Sequence, residues 1–307
     1  MDRVKEKRKK LRTIIREEWP LHVIIFLPFA FIVVYRYIPM AGVIMAFENY
    51  KPGLGVFKSP WVGLQNFVTI FTMSSFTNAL RNTVFIAIAK IALGIVVPVV
   101  FALLLNEVGN MGFKRTIQTI VYLPHFISWV LLAGIIIRLL SQYGIANRFL
   151  SNFGMGPYIF LADKTKFPFI IIFTDIWKEF GYGSIVYLAA IAGIDPNLYE
   201  AAAIDGAGRL RQIFHVTLPC LIPIIILMTA LALGRVLDAG FDQIFNLYSP
   251  IVYPTGDIID TFVYRMAFES SQFSISTAAG LFKSVIGCIM VITSYRLAWI
   301  FSGYKVF

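Results

Sequence analysis

Residues 200–219 read EAAAIDGAGRLRQIFHVTLP and place Glu200, Asp205, Arg209 and Arg211 in a chain that elsewhere avoids charge. Asp195 can cap a helix whose first residue is Pro196, and NLYEAAAID then runs to Gly206, a natural stop. Leu198, Ala201, Ala202 and Asp205 fall on one face, small and flat, with Glu200 at its side. Small side chains let another backbone approach closely, so this face suits docking into a groove. An interfacial turn whose arginines meet lipid headgroups accounts for the same residues, and spacing alone does not separate the two. The following RLRQIFHVT groups Leu210, Ile213 and Phe214 and is expected to end as a second short helix at Leu218–Pro219, making a helix-turn-helix.

A second set of residues lies within apolar segments: Lys90, Asp175, Lys178, Glu179, Arg235 and Lys283, with Tyr182 beside them. Charge within a membrane is costly and usually faces a cavity or a partner, which makes these seven the candidate lining of a passage. The bland alternative is that those near segment ends, Arg235 and Lys283 above all, snorkel to the interface. Four cations against two anions suggest an acidic solute, since carboxylates gain from basic groups where the dielectric is low. Trp129, Trp177, Tyr182 and Tyr187 could stack on sugar faces or serve as interfacial anchors.

Other chemistry is missing. No Gly-Lys dipeptide occurs, so the phosphate-cradling loop of an ATPase is absent from the sequence. His22, His125 and His215 are scattered without metal spacing and read as ordinary packed or interfacial side chains. Cys220 and Cys288 fall in apolar segments and read as packing residues.

The elements that must position these groups are membrane helices. Of 307 residues, 58% are hydrophobic and 14% charged, against roughly 25% charged in a soluble domain. Apolar runs at 21–47, 83–105, 117–140, 168–193, 218–237 and 277–299 are each long enough for a crossing, which takes about 20 residues. The third run carries Pro124; the fourth is expected to be interrupted at Asp175, Lys178, Glu179, Gly181 and Gly183. Eight basic residues crowd into the first 16 positions, reading as a cytoplasmic anchor on anionic lipid or equally as a disordered solubilising tail, and arguing against nucleic acid as the partner of the +10 net charge. The Lys and Arg bias predicts six crossings with both termini inside. The expected organisation is a basic tail at 1–20, a first helix and external loop at 21–82, a core at 83–299 containing the loop 194–217, and a cytoplasmic end at 300–307.

The segment Glu200-Ala201-Ala202-x-x-Asp205-Gly206-Ala207, with Phe214, Leu218-Pro219 and Pro223, resembles the EAA motif of the integral membrane subunits of binding-protein-dependent ABC importers. Val216 departs from the isoleucine common there. The stretches YIPMAGV from Tyr37, FENYKPGLG from Phe47 and SPWVGLQNF from Ser59 resemble the LplB type of oligosaccharide permease within the maltose-permease-like group. The resemblance implies an all-α polytopic membrane protein of the bacterial cell membrane, with a type I importer permease core and an added N-terminal helix, N-in and C-in. It implies a second homologous permease, two cytoplasmic ATPase subunits that bind the ATP and Mg, and an extracytoplasmic solute-binding protein. Glu200, Ala201, Ala202, Asp205, Gly206, Ala207 and Phe214 would then couple ATPase motion to transport. The expected substrate is an acidic, uronic-acid-containing oligosaccharide. Alternatives are neutral oligosaccharides, glycerol-phosphate-type anions or, in another class, an ion-coupled secondary transporter; that class predicts paired helix interruptions in two halves, and none is seen.

Overall fold

The structure is a computed structural model that describes residues 19–302, with side chains to residue 296. The expected basic tail over the first 16 positions and the end of the expected cytoplasmic C-terminus, 303–307, lie outside the described residues. Among those described, four helices are long and apolar enough to cross a membrane, or five if one bent pair counts as a single span.

Helix α1, Trp19–Phe47, carries no buried residue in its most apolar window and tightens through π and 3-10 turns toward its end. Short α2 (Gln65–Thr72) leads into α3 (Ser74–Asn106), which contains Pro98. Helix α4 (Met111–Tyr122) extends through a 3-10 turn to Phe126, and α5 (Trp129–Leu139) leaves at 103° to it. The bend follows Pro124, and Ser128 caps α5 by accepting from the Leu131 N–H. After α6 (Ile145–Ser151), helix α7 spans Phe167–Ala192.

Helix α7 corrects an expectation: it is one continuous α-helix, not an interrupted one. Its glycines serve close crossings. A Cβ on Gly181 would stand 2.4 Å from the Val121 carbonyl oxygen, and one on Gly183 would stand 3.4 Å from Pro98. Its charges find tertiary partners, so no backbone break is needed to hydrate them. Twenty-six residues rise roughly 39 Å, more than the hydrocarbon thickness of about 30 Å. Three charges in mid-helix keep α7 out of the apolar count without preventing a crossing.

The core fixes the helix directions. Ile86 and Ala87 of α3 pack with Ile171 and Ile172 of α7, and further along Val99 and Ala102 pack with Tyr187 and Ile191. The two helices therefore run parallel, and the chain between them must return across the same thickness. The bent α4–α5 pair is the segment available for that return. Leu221 of α10 (Leu218–Leu233) joins the Val99 cluster, whereas the following Ala239 joins the Ile86 cluster, so this segment runs opposite to α3. Helices α11 (Phe241–Leu247), α12 (Tyr253–Gly256) and α13 (Ile259–Tyr264) precede α14 (Phe273–Ser302), whose Ala279 packs with Phe76, Ala79 and Phe262.

Near that end of α3, Asp257 accepts from Thr261 Oγ1 and pairs with Arg265. Burial nevertheless pushes its carboxyl above the ordinary range. Cys220 and Cys288 are free and exposed on this chain, contrary to the expectation that they fill the core.

Candidate functional site

The 193–217 connection forms much as its punctuation predicts. Asp195 Oδ1 accepts from the Asn197 N–H at 3.0 Å, and α8 runs Pro196–Ile204. Gly206 turns with φ 77°, and the Ala207 N–H reaches back to the Ala202 carbonyl at 2.9 Å, closing the helix end. Glu200, Ala201, Asp205, Gly206 and Phe214 are exposed, and Ala202 and Ala207 are half-buried. Ile204 is 87% exposed and Phe214 61%, unusual for large apolar groups at a helix end that also carries charge.

The second half differs from expectation. Helix α9 (Arg209–Gln212) passes through a π turn at Ile213–Thr217 directly into α10, giving one continuous helix over Arg209–Leu233. Pro219 causes no break because it stands at the second position of α10, where the π turn has already altered the hydrogen-bond register. Tyr199 Oη and Thr217 Oγ1 lie 2.9 Å apart and tie α8 to this helix. Motion of α8 is thus linked mechanically to a helix that reaches the second part of the site.

That part lies midway along α3, between the Ile86 and Val99 clusters. A cavity of about 540 Å³ is lined by Lys90, Asp175, Glu179, Tyr187, Arg235 and Asp238, among others. A neighbouring cavity of about 410 Å³ shares Arg235 and Asp238 and adds Asp260 and Lys283. Five of the seven candidate lining residues, Lys90, Asp175, Glu179, Arg235 and Lys283, therefore converge on two adjoining spaces.

The other two line neither cavity. Lys178 is 6% exposed; its Nζ donates to the His125 carbonyl at 2.9 Å and to Glu179 Oε1 at 2.8 Å, and it sits 5.5 Å from the Trp129 ring centre. Tyr182 stacks flat on His125 with centroids 3.9 Å apart, and His125 Nδ1 meets Glu179 Oε2 at 2.6 Å. Trp177 faces away from both cavities, in an apolar groove with Phe169 and Phe173.

The charge count also changes. Lys90 Nζ contacts Asp175 Oδ1 at 3.0 Å, the Ala239 carbonyl at 2.8 Å and Gln243 Oε1 at 2.5 Å. Lys283 Nζ holds both oxygens of Asp260, at 2.5 and 2.7 Å. With Asp238 and Asp260 included, three cations and four acids line the two cavities, and Lys178 stands outside them paired with Glu179, so the cationic excess expected from the sequence is absent. Arg235 is also not within a span as expected: α10 ends at Leu233 and Arg235 lies in the turn that follows, where the chain leaves the helix.

Sequence reasoning missed His125, Asp238, Gln243 and Asp260. Asp238 and Gln243 lie in RVLDAGFDQ, immediately after the apolar run 218–237 and so outside the charges counted within the runs. His125 follows Pro124 at the bend, a position where a polar side chain has freed backbone groups to serve. That proximity was the available signal.

A family model for the "Binding-protein-dependent transport system inner membrane component" matches residues 90–298. The chain belongs to this family. It is therefore a multi-pass inner-membrane transport subunit, the permease and not the ATPase of its system. It is 40% identical over 295 residues to the polygalacturonan/rhamnogalacturonan transport system permease protein YteP of Bacillus subtilis, covering 96% of this chain and 92% of that one. It is 38% identical to Protein LplB of the same organism, covering 92% and 89%. A crystal structure of a bacterial ABC transporter involved in the import of the acidic polysaccharide alginate superposes with a TM-score of 0.87 at 38% identity, covering 95% of this chain and 99% of that chain. The resemblance drawn from the EAA segment and the LplB-like N-terminal stretches is thus established at the level of the family.

Proposed function

We propose that this chain is the membrane-spanning permease of an ATP-driven importer of acidic oligosaccharides, working beside a second permease, two ATPase subunits and an extracytoplasmic solute-binding protein. Likeness over nearly the whole chain to an alginate importer is the observation that carries the reading. Six crossings with both termini inside, an added first helix with its external loop at 21–82 and a core at 83–299 complete the expected arrangement.

In this reading the exposed end of α8, with Glu200, Ala201, Ala202, Asp205, Gly206, Ala207 and Phe214, docks on the ATPase. Closure of the ATPase pair pushes α8, and the Tyr199–Thr217 contact and the unbroken Arg209–Leu233 helix carry the displacement to the turn bearing Arg235 and Asp238. Such a push moves the permease between two states only if docking contacts differ between them. The exposed apolar Ile204 and Phe214 suit a partner groove better than water.

The absence of a cationic excess in the cavity lining favours a second reading, a neutral oligosaccharide as cargo. Uptake of labelled trigalacturonate by the assembled transporter, competed by a neutral trisaccharide, separates the two. Equal competition would sink the acidic reading. For the coupling end, Glu200→Arg should abolish co-purification with the ATPase; retained association together with ATP-dependent uptake would show the assignment to be wrong.

A further inference from the structure

We infer that Arg235 is the residue that reads the substrate's carboxylate, an inference that rests on the acidic-oligosaccharide reading above. The other cations in and behind the two cavities are already engaged. Lys90 is held by three acceptors, one of them Asp175. Lys178 is buried behind the wall and spans Glu179 and the His125 carbonyl at the α4–α5 bend. Lys283 is closed onto both oxygens of Asp260. Each of these amines is already neutralised and geometrically committed. A substrate carboxylate could recruit one only by displacing a native acid, which returns no net gain.

Arg235 differs on every count. Its backbone N–H is bonded to the Ala232 carbonyl, but its guanidinium has no ion-pair partner among the described residues. It lines both cavities, so it stands where the two adjoin. Its turn is pinned on the far side by Lys90, which bonds the Ala239 carbonyl and Gln243 at the start of α11. Gly240 leaves room for that pin: a Cβ there would lie 2.9 Å from Lys90 Nζ. A planar fork of donors on a fixed turn can bind a carboxylate with two parallel hydrogen bonds, which a lysine amine cannot reproduce. Asp238, three residues on and lining both cavities, faces the same space and would repel a carboxylate placed away from Arg235. Lys90 is accordingly a positioning residue for this selectivity.

The test uses the complete transporter with its binding protein and ATPases in proteoliposomes. Initial ATP-dependent uptake is measured for trigalacturonate and for its fully methyl-esterified form, and the acid-to-ester ratio is compared between variants so that the binding protein's own preference cancels. Arg235→Gln should lower that ratio about tenfold or more, the loss expected for a charge-assisted bidentate contact, and Arg235→Lys should fall between it and wild type. A ratio unchanged by Arg235→Gln, or equal slowing of both sugars, overturns the inference while leaving the acidic reading intact. A wild-type transporter that carries acid and ester equally overturns both. Recovery of the Arg235→Lys complex intact on size-exclusion chromatography, with ester uptake retained, separates altered recognition from failure to fold.

Discussion

The α4–α7 crossing makes the sharpest prediction. Gly181 sits so close to α4 that an added Cβ would stand 2.4 Å from the Val121 carbonyl oxygen, 2.5 Å from its Cγ1 and 2.8 Å from its carbonyl carbon. Ordinary contacts begin near 3.4 Å, so Gly181→Ala requires the helices to separate by about 1 Å. Two of the three atoms are backbone, and no rotamer change relieves them. Overpacking of this kind costs about 1–3 kcal/mol, which for a chain of this size lowers an apparent Tm by roughly 2–10 °C. The displacement also moves the bend that carries His125 away from Lys178 and Glu179, so transport should fall more than stability does. Gly134 in α5 is the control: nothing lies within 4 Å of a Cβ there, and alanine is the better helix former. Thermal aggregation of the purified complex in detergent, with both variants side by side, is the assay. Equal melting of Gly181→Ala and Gly134→Ala would refute the reasoning that glycine is present for close approach.

Gly206 turns at φ 77°, where an L side chain is strained, so Gly206→Ala should weaken the α8 end by about 1–2 kcal/mol and Gly206→Asn by less; amide exchange of Asp205–Ala207 reads both. Asp195→Ala removes the cap on Asn197 and should cost about 1 kcal/mol, seen as faster proteolysis of the 193–208 connection. Lys283→Met leaves Asp260 without its partner and should destabilise strongly, whereas the double variant Lys283→Met/Asp260→Leu should recover most of the loss; a double variant no better than the single would contradict the pairing. Asp163 is held below the usual carboxylate range by Lys166 and the Thr165 and Lys166 N–H groups. Its contribution is complete above the unfolded value near 3.8 and is lost as pH falls through the lower folded value, so cleavage of the 141–166 loop should accelerate only in that acid window, and not further in Asp163→Asn.

Much of the fold was legible because membrane helices announce themselves in composition. The apolar runs, the Asp195-Pro196 start and the Gly206 stop all appear as elements, since caps and left-handed turns depend on residues one to five positions away. The interruption expected in the fourth run does not appear for the opposite reason. Gly181 and Gly183 look like breakers in a local window, yet their role is contact with Val121 and Pro98, about 60 and 85 residues distant in sequence. Likewise Pro219 looks like a boundary between two helices, but a π turn carries the chain through it.

The candidate passage was half legible. Charged residues in apolar runs pointed to a cavity, and five of the seven named for it converge there. Their pairing could not be read, because Lys90 meets Asp175 across 85 residues and Lys283 meets Asp260 on a different helix. A count of charge within the runs therefore suggested a cationic site. Once Asp238 and Asp260 are brought in by the fold, the cationic excess disappears, and among the described cavity-lining cations only Arg235 is without an ion-pair partner. The sequence by itself determined that this is a polytopic membrane permease carrying a capped, EAA-like segment between two spans, since lipid compatibility, capping and a contiguous motif are all local properties. The tertiary structure decided which charges cancel and which cation faces the cavity without an ion-pair partner, because electrostatic neutralisation depends on distance in space and not along the chain.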